Sequence, residues 1–140
     1  MFVPIGIFLA IFGVLNFAEL PLGWKDRHAQ ISRYLDATVG LGADWVMPVL
    51  WLAKGTELIL GLIAIVALAR RSVRWLAAAV VGWMAWFTAF SVMDVWAADR
   101  IELQEHTVYF AMFTVLLTVI FVVSAAGRVL DRIGVTTAEH

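Results

Sequence analysis

Most of this chain consists of four apolar runs, at residues 2–20, 46–69, 75–97 and 107–126. A helix rises about 1.5 Å per residue, so about 20 residues cross the ~30 Å hydrocarbon core of a bilayer, and each run is near that length. Inside a bilayer the backbone must satisfy its own hydrogen bonds, and runs without polar alternation favour helices over the strands of a barrel. The sequence therefore predicts an all-α fold: a single transmembrane four-helix bundle over residues 1–127, followed by a polar cytoplasmic tail at 128–140.

The composition indicates a membrane protein and excludes several kinds of function. The chain is 63% hydrophobic and 15% charged, whereas soluble domains are about 45–50% apolar and about 25% charged. The formal net charge of −1 gives no basic surface for nucleic acid. Because there is no cysteine, disulfides, thiolate ligands and iron–sulfur clusters are excluded, and a redox role would need a bound cofactor or a partner's chemistry.

Four crossings would put both termini and the connection between the second and third helices on one side of the membrane. That side carries five basic residues, against four on the other side: Arg70, Arg71, Arg74, Arg128 and Arg132. Because basic residues favour the cytoplasmic side, we predict cytoplasmic termini. We also expect an integral protein of the bacterial cytoplasmic membrane. The first run lacks a basic leading stretch and a small-residue cleavage site, so we interpret it as a retained helix.

The connection between the first two runs, residues 25–42, contains a shorter helical pattern. Ile31, Tyr34, Leu35 and Val39 recur at helical spacing, which predicts one apolar face. We expect a short amphipathic helix that lies on the outer surface of the membrane.

The ionisable and amide side chains within the apolar runs, or directly before the fourth run, all fall in the outer half of the predicted bundle. They are Asn16, Glu19, Lys54, Glu57, Asp94 and His106. A helical period of about 100° per residue places Trp83, Phe87 and Phe90 on the face of Asp94. Glu102, Tyr109 and Phe113 share the face of His106 in the same way. Since charged side chains avoid lipid, we expect the polar residues and the three aromatic residues beside Asp94 to form an outer-leaflet ligand-binding pocket.

Each of these residues also has a structural interpretation. Lys54 and Glu57 are three positions apart, which permits a local ion pair, and the lysine can extend toward the interface. Asp94 and Glu19 can be helix-end residues near the head groups, and His106 can be an interfacial histidine. The aromatic residues can be bundle core. The residue pattern leaves both interpretations open.

A metal or haem site has little support in the pattern. Carboxylates and a histidine are suitable ligands, but the paired Glu-x-x-His motifs of di-iron bundles are missing and Lys54 would repel a cation. Haem held by two histidines would need a partner for His106, whereas His28 lies in a loop. We predict no metal ligand and no catalytic residue. A path for ions across the membrane is disfavoured because the inner half of the bundle has almost no ionisable side chain.

A stripe of small residues follows one face of the third run. Ala78, Gly82, Ala85 and Ala89 recur at spacings of three and four. Small residues allow helices in membranes to approach closely. We predict that this stripe is a packing interface for other transmembrane helices.

Several segments occur in a characteristic order along the chain. The first run ends FGVLNFAEL, the connection carries ISRYLDATVG, the second run reads VLWLAKGTELILGLIAIVAL, and ARRSVR forms a basic turn. This order resembles the DoxX-like family of small four-helix membrane proteins over residues 2 to 132, most of all in Glu57 with Gly55 and Gly61. Lys54, the many tryptophans and the lack of cysteine depart from the family pattern. The resemblance implies a four-helix bundle that acts as a subunit of sulfur-compound:quinone oxidoreductases or redox-defence assemblies, or as an assembly partner.

Together these features predict an accessory integral membrane subunit of a respiratory or redox complex, more a non-catalytic subunit than an enzyme on its own. Its pocket would bind a quinone-like head group, with Lys54 or His106 donating to a carbonyl oxygen and a carboxylate relaying protons. The alternative is a purely structural or assembly subunit without chemistry of its own. A stand-alone binder or transporter is a third class, which the apolar inner half disfavours. The expected partners are membrane lipid and other membrane subunits.

Overall fold

The fold is that of a computed structural model, which describes residues 2–22 and 24–133, with side chains for residues 3–18, 25–42 and 44–128. Within these residues the chain forms five α-helices and no strand. The helices are α1 (Phe2–Leu22), α2 (Trp24–Val39), α3 (Val46–Arg70), α4 (Val73–Ala97) and α5 (Arg100–Ile133), and a 3₁₀ helix (Ala43–Trp45) precedes α3. The predicted all-α class is confirmed.

Three of the described helices are long and apolar enough to cross a membrane: α3, α4 and the Arg100–Arg128 part of α5. The described apolar segment of α1, Val3–Ala18, is shorter. These long apolar helices support the prediction of a membrane protein in contact with lipid. A fourth crossing by α1 and the side on which the termini lie stay predictions.

Helix α5 begins earlier and ends later than the apolar run that predicts it. It starts at Arg100 rather than 107, because the side chain of Asp99 accepts a hydrogen bond from the backbone N–H of Glu102 at 3.2 Å and so caps the helix. It continues to Ile133, past the predicted end at 126. The rest of the predicted tail, residues 134–140, lies outside the described residues.

Two short turns of the same type reverse the chain at the ends of α3 and α4. Arg71 and Ala98 adopt left-handed backbone conformations there, with φ angles of 46° and 56°. In the second turn the N–H of Asp99 donates to the carbonyl oxygen of Asp94 at 2.9 Å, as in a Schellman motif. This turn places the first residues of α5 against the end of α4.

Helices α1 and α3 approach most closely where two glycines face each other. A Cβ atom added to Gly13 would lie 2.5 Å from the Cα atom of Gly61 and 2.9 Å from the carbonyl oxygen of Glu57. A Cβ atom on Gly61 would lie 3.2 Å from the Cα atom of Gly13. Paired small residues of this kind allow two helix backbones to pack directly against each other.

The main core lies between α1, α3, α4 and α5. Trp83 and Phe113 are fully buried and stack with their ring centroids 5.8 Å apart. Phe12 of α1 contacts both rings, at centroid distances of 4.8 Å and 5.7 Å. Among the described side chains, Trp83 carries a buried Nε1 that has no hydrogen-bond partner. These rings hold the first, fourth and fifth helices together.

The small-residue stripe of α4 divides between the inside and the outside of the bundle. A Cβ atom added to Gly82 would lie 2.4 Å from Cδ2 of Leu60 on α3, so Gly82 packs within the chain. Ala78, Ala85 and Ala89 are exposed. These three alanines are the part of the stripe that lipid or another chain can contact.

The predicted amphipathic helix is present as α2, and it packs onto the bundle. Ile31, Tyr34 and Leu35 are buried in one cluster with residues of α3 and α4. Val39, the last residue of the helix, is 63% exposed and lies outside this cluster. Helix α2 thereby covers part of the α3–α4 pair.

Candidate functional site

A buried carboxylate pairs with a histidine at the junction of α4 and α5. Asp94 lies on the last turn of α4 and has no exposed surface. His106 lies near the start of α5, and its Nδ1 is 2.5 Å from Oδ2 of Asp94. The tight turn between the helices brings the two residues together. Because the carboxylate accepts, Nδ1 carries a proton and Nε2 is the ring nitrogen left for a ligand.

Tyr34 brings α2 into the same hydrogen-bond network. Its hydroxyl donates to Oδ1 of Asp94 and accepts from Nε2 of Gln30 at 2.9 Å. Arg27 in turn donates from Nη1 to Oε1 of Gln30 at 3.0 Å. Each hydrogen bond in this series is donated in the direction of Asp94, which receives hydrogen bonds on both oxygens. Such a polarised network fixes α2, α4 and α5 relative to one another.

The surroundings of Tyr34 keep its phenol protonated. Burial raises the pKa of Tyr34 well above its ordinary value of 10.0, and the hydrogen bond to Asp94 raises it further. The phenol therefore remains a donor to Asp94 throughout the physiological pH range.

A titration can isolate this tyrosine, because the chain contains only two. In a Tyr109→Phe variant we expect no phenolate absorbance from the folded chain at about pH 10, where tyrosine in an unfolded chain titrates. The folded state then holds a proton that the unfolded state has released, so stability falls as the pH rises above about 10. Phenolate absorbance from the folded variant at that pH would contradict the buried hydrogen bond.

Lys54 and Glu57 form the local ion pair that their spacing permits, and they also join two helices. Nζ of Lys54 lies 2.7 Å from Oε2 of Glu57 and donates at 2.8 Å to the backbone carbonyl oxygen of Asn16 on α1. Nε1 of Trp86 donates to the other carboxylate oxygen of Glu57 at 3.4 Å. Only 2% of the surface of Lys54 is exposed. Its ammonium group therefore lies inside the bundle and is not extended toward the membrane–water interface.

A pocket of about 210 Å³ lies beside these two polar groups. Its walls contain five aromatic side chains: Phe12, Trp86, Phe87, Phe90 and Tyr109. The rest of the lining consists of Leu15, Asn16, Arg27, Glu57, Glu102, Glu105 and His106. The ring centroid of Phe87 lies 5.1 Å from that of Tyr109 and 5.9 Å from that of His106. The pocket thus combines flat apolar walls with a few polar atoms, as small-molecule sites do.

The structure brings together part of the predicted ligand-binding set. The residues of that set that line the pocket are Asn16, Glu57, Phe87, Phe90 and His106. Trp83 lies in the main core instead, in agreement with the structural interpretation. The side chain of Glu19 lies outside the part of the chain that the structure describes.

Lys54 and Asp94 do not line the pocket, but each contacts a residue that does. Lys54 pairs with Glu57, and Asp94 holds His106. Each therefore sets the charge and orientation of a lining residue. This position does not favour the predicted donation from Lys54 to a ligand.

The contribution of α2 is not visible in the sequence pattern as a functional feature. Arg27, Gln30 and Tyr34 lie at positions i, i+3 and i+7, so they form a polar line along one side of the helix. The spacing of these three residues predicts the polar line, but it does not indicate which helix the line packs against. The role of Trp86 is not predictable from the sequence either, because its contact with Glu57 depends on how α3 packs against α4.

Comparisons of the chain with models of protein families, with curated proteins and with solved structures give no match. The structure is that of a helical protein in which a buried aspartate–histidine pair lies beside an aromatic pocket. Its function must therefore be inferred from the geometry of that site.

Proposed function

We propose that the chain is an accessory subunit of a respiratory or redox membrane complex and that its pocket binds the ring head group of a quinone-like molecule. The observation that carries this proposal is a pocket-lining histidine, His106, held by the fully buried Asp94. A planar ring can stack against the aromatic walls. The free nitrogen of His106 and the oxygens of Asn16 and Glu57 can then meet polar groups of the ring.

The size of the pocket favours a single ring over a larger molecule. A volume of about 210 Å³ is several times the ~30 Å³ that one water takes in the liquid. It is below the ~300–1,000 Å³ of pockets that enclose drug-sized ligands. A head group would therefore enter, whereas an apolar tail would remain in the surrounding lipid.

The proposal includes four crossings and cytoplasmic termini in a bacterial cytoplasmic membrane. Helix α1 has 21 residues, or about 31 Å, which is close to the ~30 Å of the hydrocarbon core. Arg70, Arg71 and Arg74 are exposed at the turn between α3 and α4, and such residues favour the cytoplasmic side. The pocket would then open in the outer leaflet. The resemblance to the DoxX-like family supports the same arrangement.

Binding of a decyl-substituted benzoquinone to the full chain in lipid nanodiscs tests this function. We expect saturable binding beyond the partition into protein-free discs, measured by calorimetry. His106→Gln and Phe87→Leu should each weaken it by about tenfold, or about 1.4 kcal/mol. Phe110→Leu is the matched control, because Phe110 lies on α5 outside the pocket lining. No saturable binding, or equal losses in the control, would rule out this use of the pocket.

The assembly function is favoured by a different observation. Only 11% of the most apolar membrane-length window of α5 is buried within the described chain, and three alanines of α4 are exposed. If these faces pack against partner helices, Ala85→Leu/Ala89→Leu should release the chain from its complex in mild detergent without unfolding it. Gly82 is unsuitable for this test because it contacts Leu60. Unchanged co-purification would exclude that face as the interface.

A further inference from the structure

The strongest acceptors in the pocket lining are three carboxylates. They belong to Glu57, Glu102 and Glu105, and an ionised carboxylate only accepts. Asn16 donates from Nδ2 to the carbonyl oxygen of Phe12 at 2.8 Å. Its amide oxygen and the second hydrogen of Nδ2 remain for a ligand.

His106 joins these acceptors because of its partner. Its Nδ1 lies 2.5 Å from Asp94, whose second oxygen accepts from the protonated phenol of Tyr34. With the Nδ1 proton directed to the carboxylate, Nε2 is the ring nitrogen left for a ligand, and it accepts when Nδ1 carries the only ring proton. Tyr109, which also lines the pocket, can act either as donor or as acceptor.

The cationic and indole groups around the pocket each donate to an acceptor within the chain. The ammonium group of Lys54 lies outside the lining and donates to Glu57 at 2.7 Å. Nε1 of Trp86 donates to the same carboxylate. Arg27 donates from Nη1 to Gln30, which uses one of its five N–H groups. A ligand whose oxygens can only accept offers no donor to the three lining carboxylates.

From this distribution we infer, on the basis of the proposed function, that the pocket binds the hydroquinone form of its ring ligand in preference to the quinone form. The hydroxyl groups of a hydroquinone donate, whereas the carbonyl oxygens of a quinone only accept. A site built from acceptors leaves its own groups unpaired when the ligand has no donor, and mismatches of this kind discriminate strongly. A tenfold preference would raise the midpoint potential of the bound pair by about 30 mV, because the reduced form is the one stabilised.

Three ligands that share one ring and one tail separate donation from shape. They are a decyl-substituted benzoquinone, its hydroquinone and the dimethyl ether of that hydroquinone, each titrated without oxygen into the full chain in nanodiscs. We expect the hydroquinone to bind about tenfold or more tightly than the other two, since the ether keeps the ring but loses the donated protons. Equal binding of the ether, or equal or tighter binding of the quinone, would overturn the preference and leave the proposed function standing. Absence of saturable binding by all three would overturn both.

A variant of one lining carboxylate tests the same preference from the side of the protein. Glu102→Gln places an amide donor where the carboxylate stands, so the ratio of hydroquinone to quinone affinity should fall several-fold. Asp36→Asn is the matched control, because Asp36 is exposed on α2 and outside the lining. The same ratio in both variants would contradict the role of the lining acceptors.

Discussion

Replacement of Lys54 with methionine is expected to destabilise the folded chain by about 3–5 kcal/mol. The substitution leaves the carboxylate of Glu57 inside the bundle without the ammonium group that lies 2.7 Å away. It also removes the hydrogen bond from α3 to the backbone of Asn16. A buried charge that loses its partner is costly because the interior solvates it poorly. Unfolding in mixed micelles, followed by far-ultraviolet circular dichroism, measures the loss.

Two further variants separate the effect of charge from the effect of packing. Lys54→Met/Glu57→Gln removes both charges, and it should match the unsubstituted protein or exceed its stability by about 1–4 kcal/mol. Arg33 and Asp99 form a comparison pair 2.8 Å apart in which 57% of the arginine side chain is exposed. Arg33→Met should therefore cost less than about 1 kcal/mol. Equal losses for the two single variants would show that burial of Lys54 adds nothing.

The Gly13→Ala variant is expected to lose about 1–3 kcal/mol or more. The added methyl group would lie 2.5 Å from the Cα atom and 2.8 Å from the backbone nitrogen of Gly61. Neither atom can move aside by a change of rotamer, so α1 and α3 must separate along their contact. The same unfolding measurement applies, and disulfide cross-linking between cysteines introduced on α1 and α3 would report the separation directly.

Gly55→Ala is the matched control for this substitution. Gly55 also lies within a helix, but a Cβ atom there would meet nothing within 4 Å. Since glycine is unfavourable inside a helix, alanine should stabilise the chain by about 0.5–1 kcal/mol. Similar effects at both positions would mean that the glycine contact does not hold the two helices together.

The helices are predictable from the sequence because their signals are local. The run at 46–69 corresponds to α3 (Val46–Arg70), and the run at 75–97 corresponds to α4 (Val73–Ala97). The start of α5 is harder to predict, because it depends on a cap by Asp99 that precedes the apolar run. The amphipathic pattern of α2 predicts a helix, but not that its buried face would meet α3 and α4.

The site is only partly predictable, since its contacts depend on how the helices dock. Helical phase is sufficient to place Asp94 and His106 on inward faces, but the distance between them depends on the left-handed turn at Ala98. The hydrogen bond from Tyr34 to Asp94 joins residues 60 positions apart. The spacing of Lys54 and Glu57 predicts their ion pair but gives no sign of the backbone acceptor on α1.

Helix α5 is continuous from Arg100 to Ile133, so it acts as a stiff rod between two ends of the molecule. His106 and Arg128 are 128 − 106 = 22 residues apart, or about 33 Å along the helix axis. A tilt of about 5° about His106 would displace the helix axis at Arg128 by about 3 Å. Because the described part of the chain buries little of α5, a small tilt of the helix at the pocket would become a larger displacement at its far end.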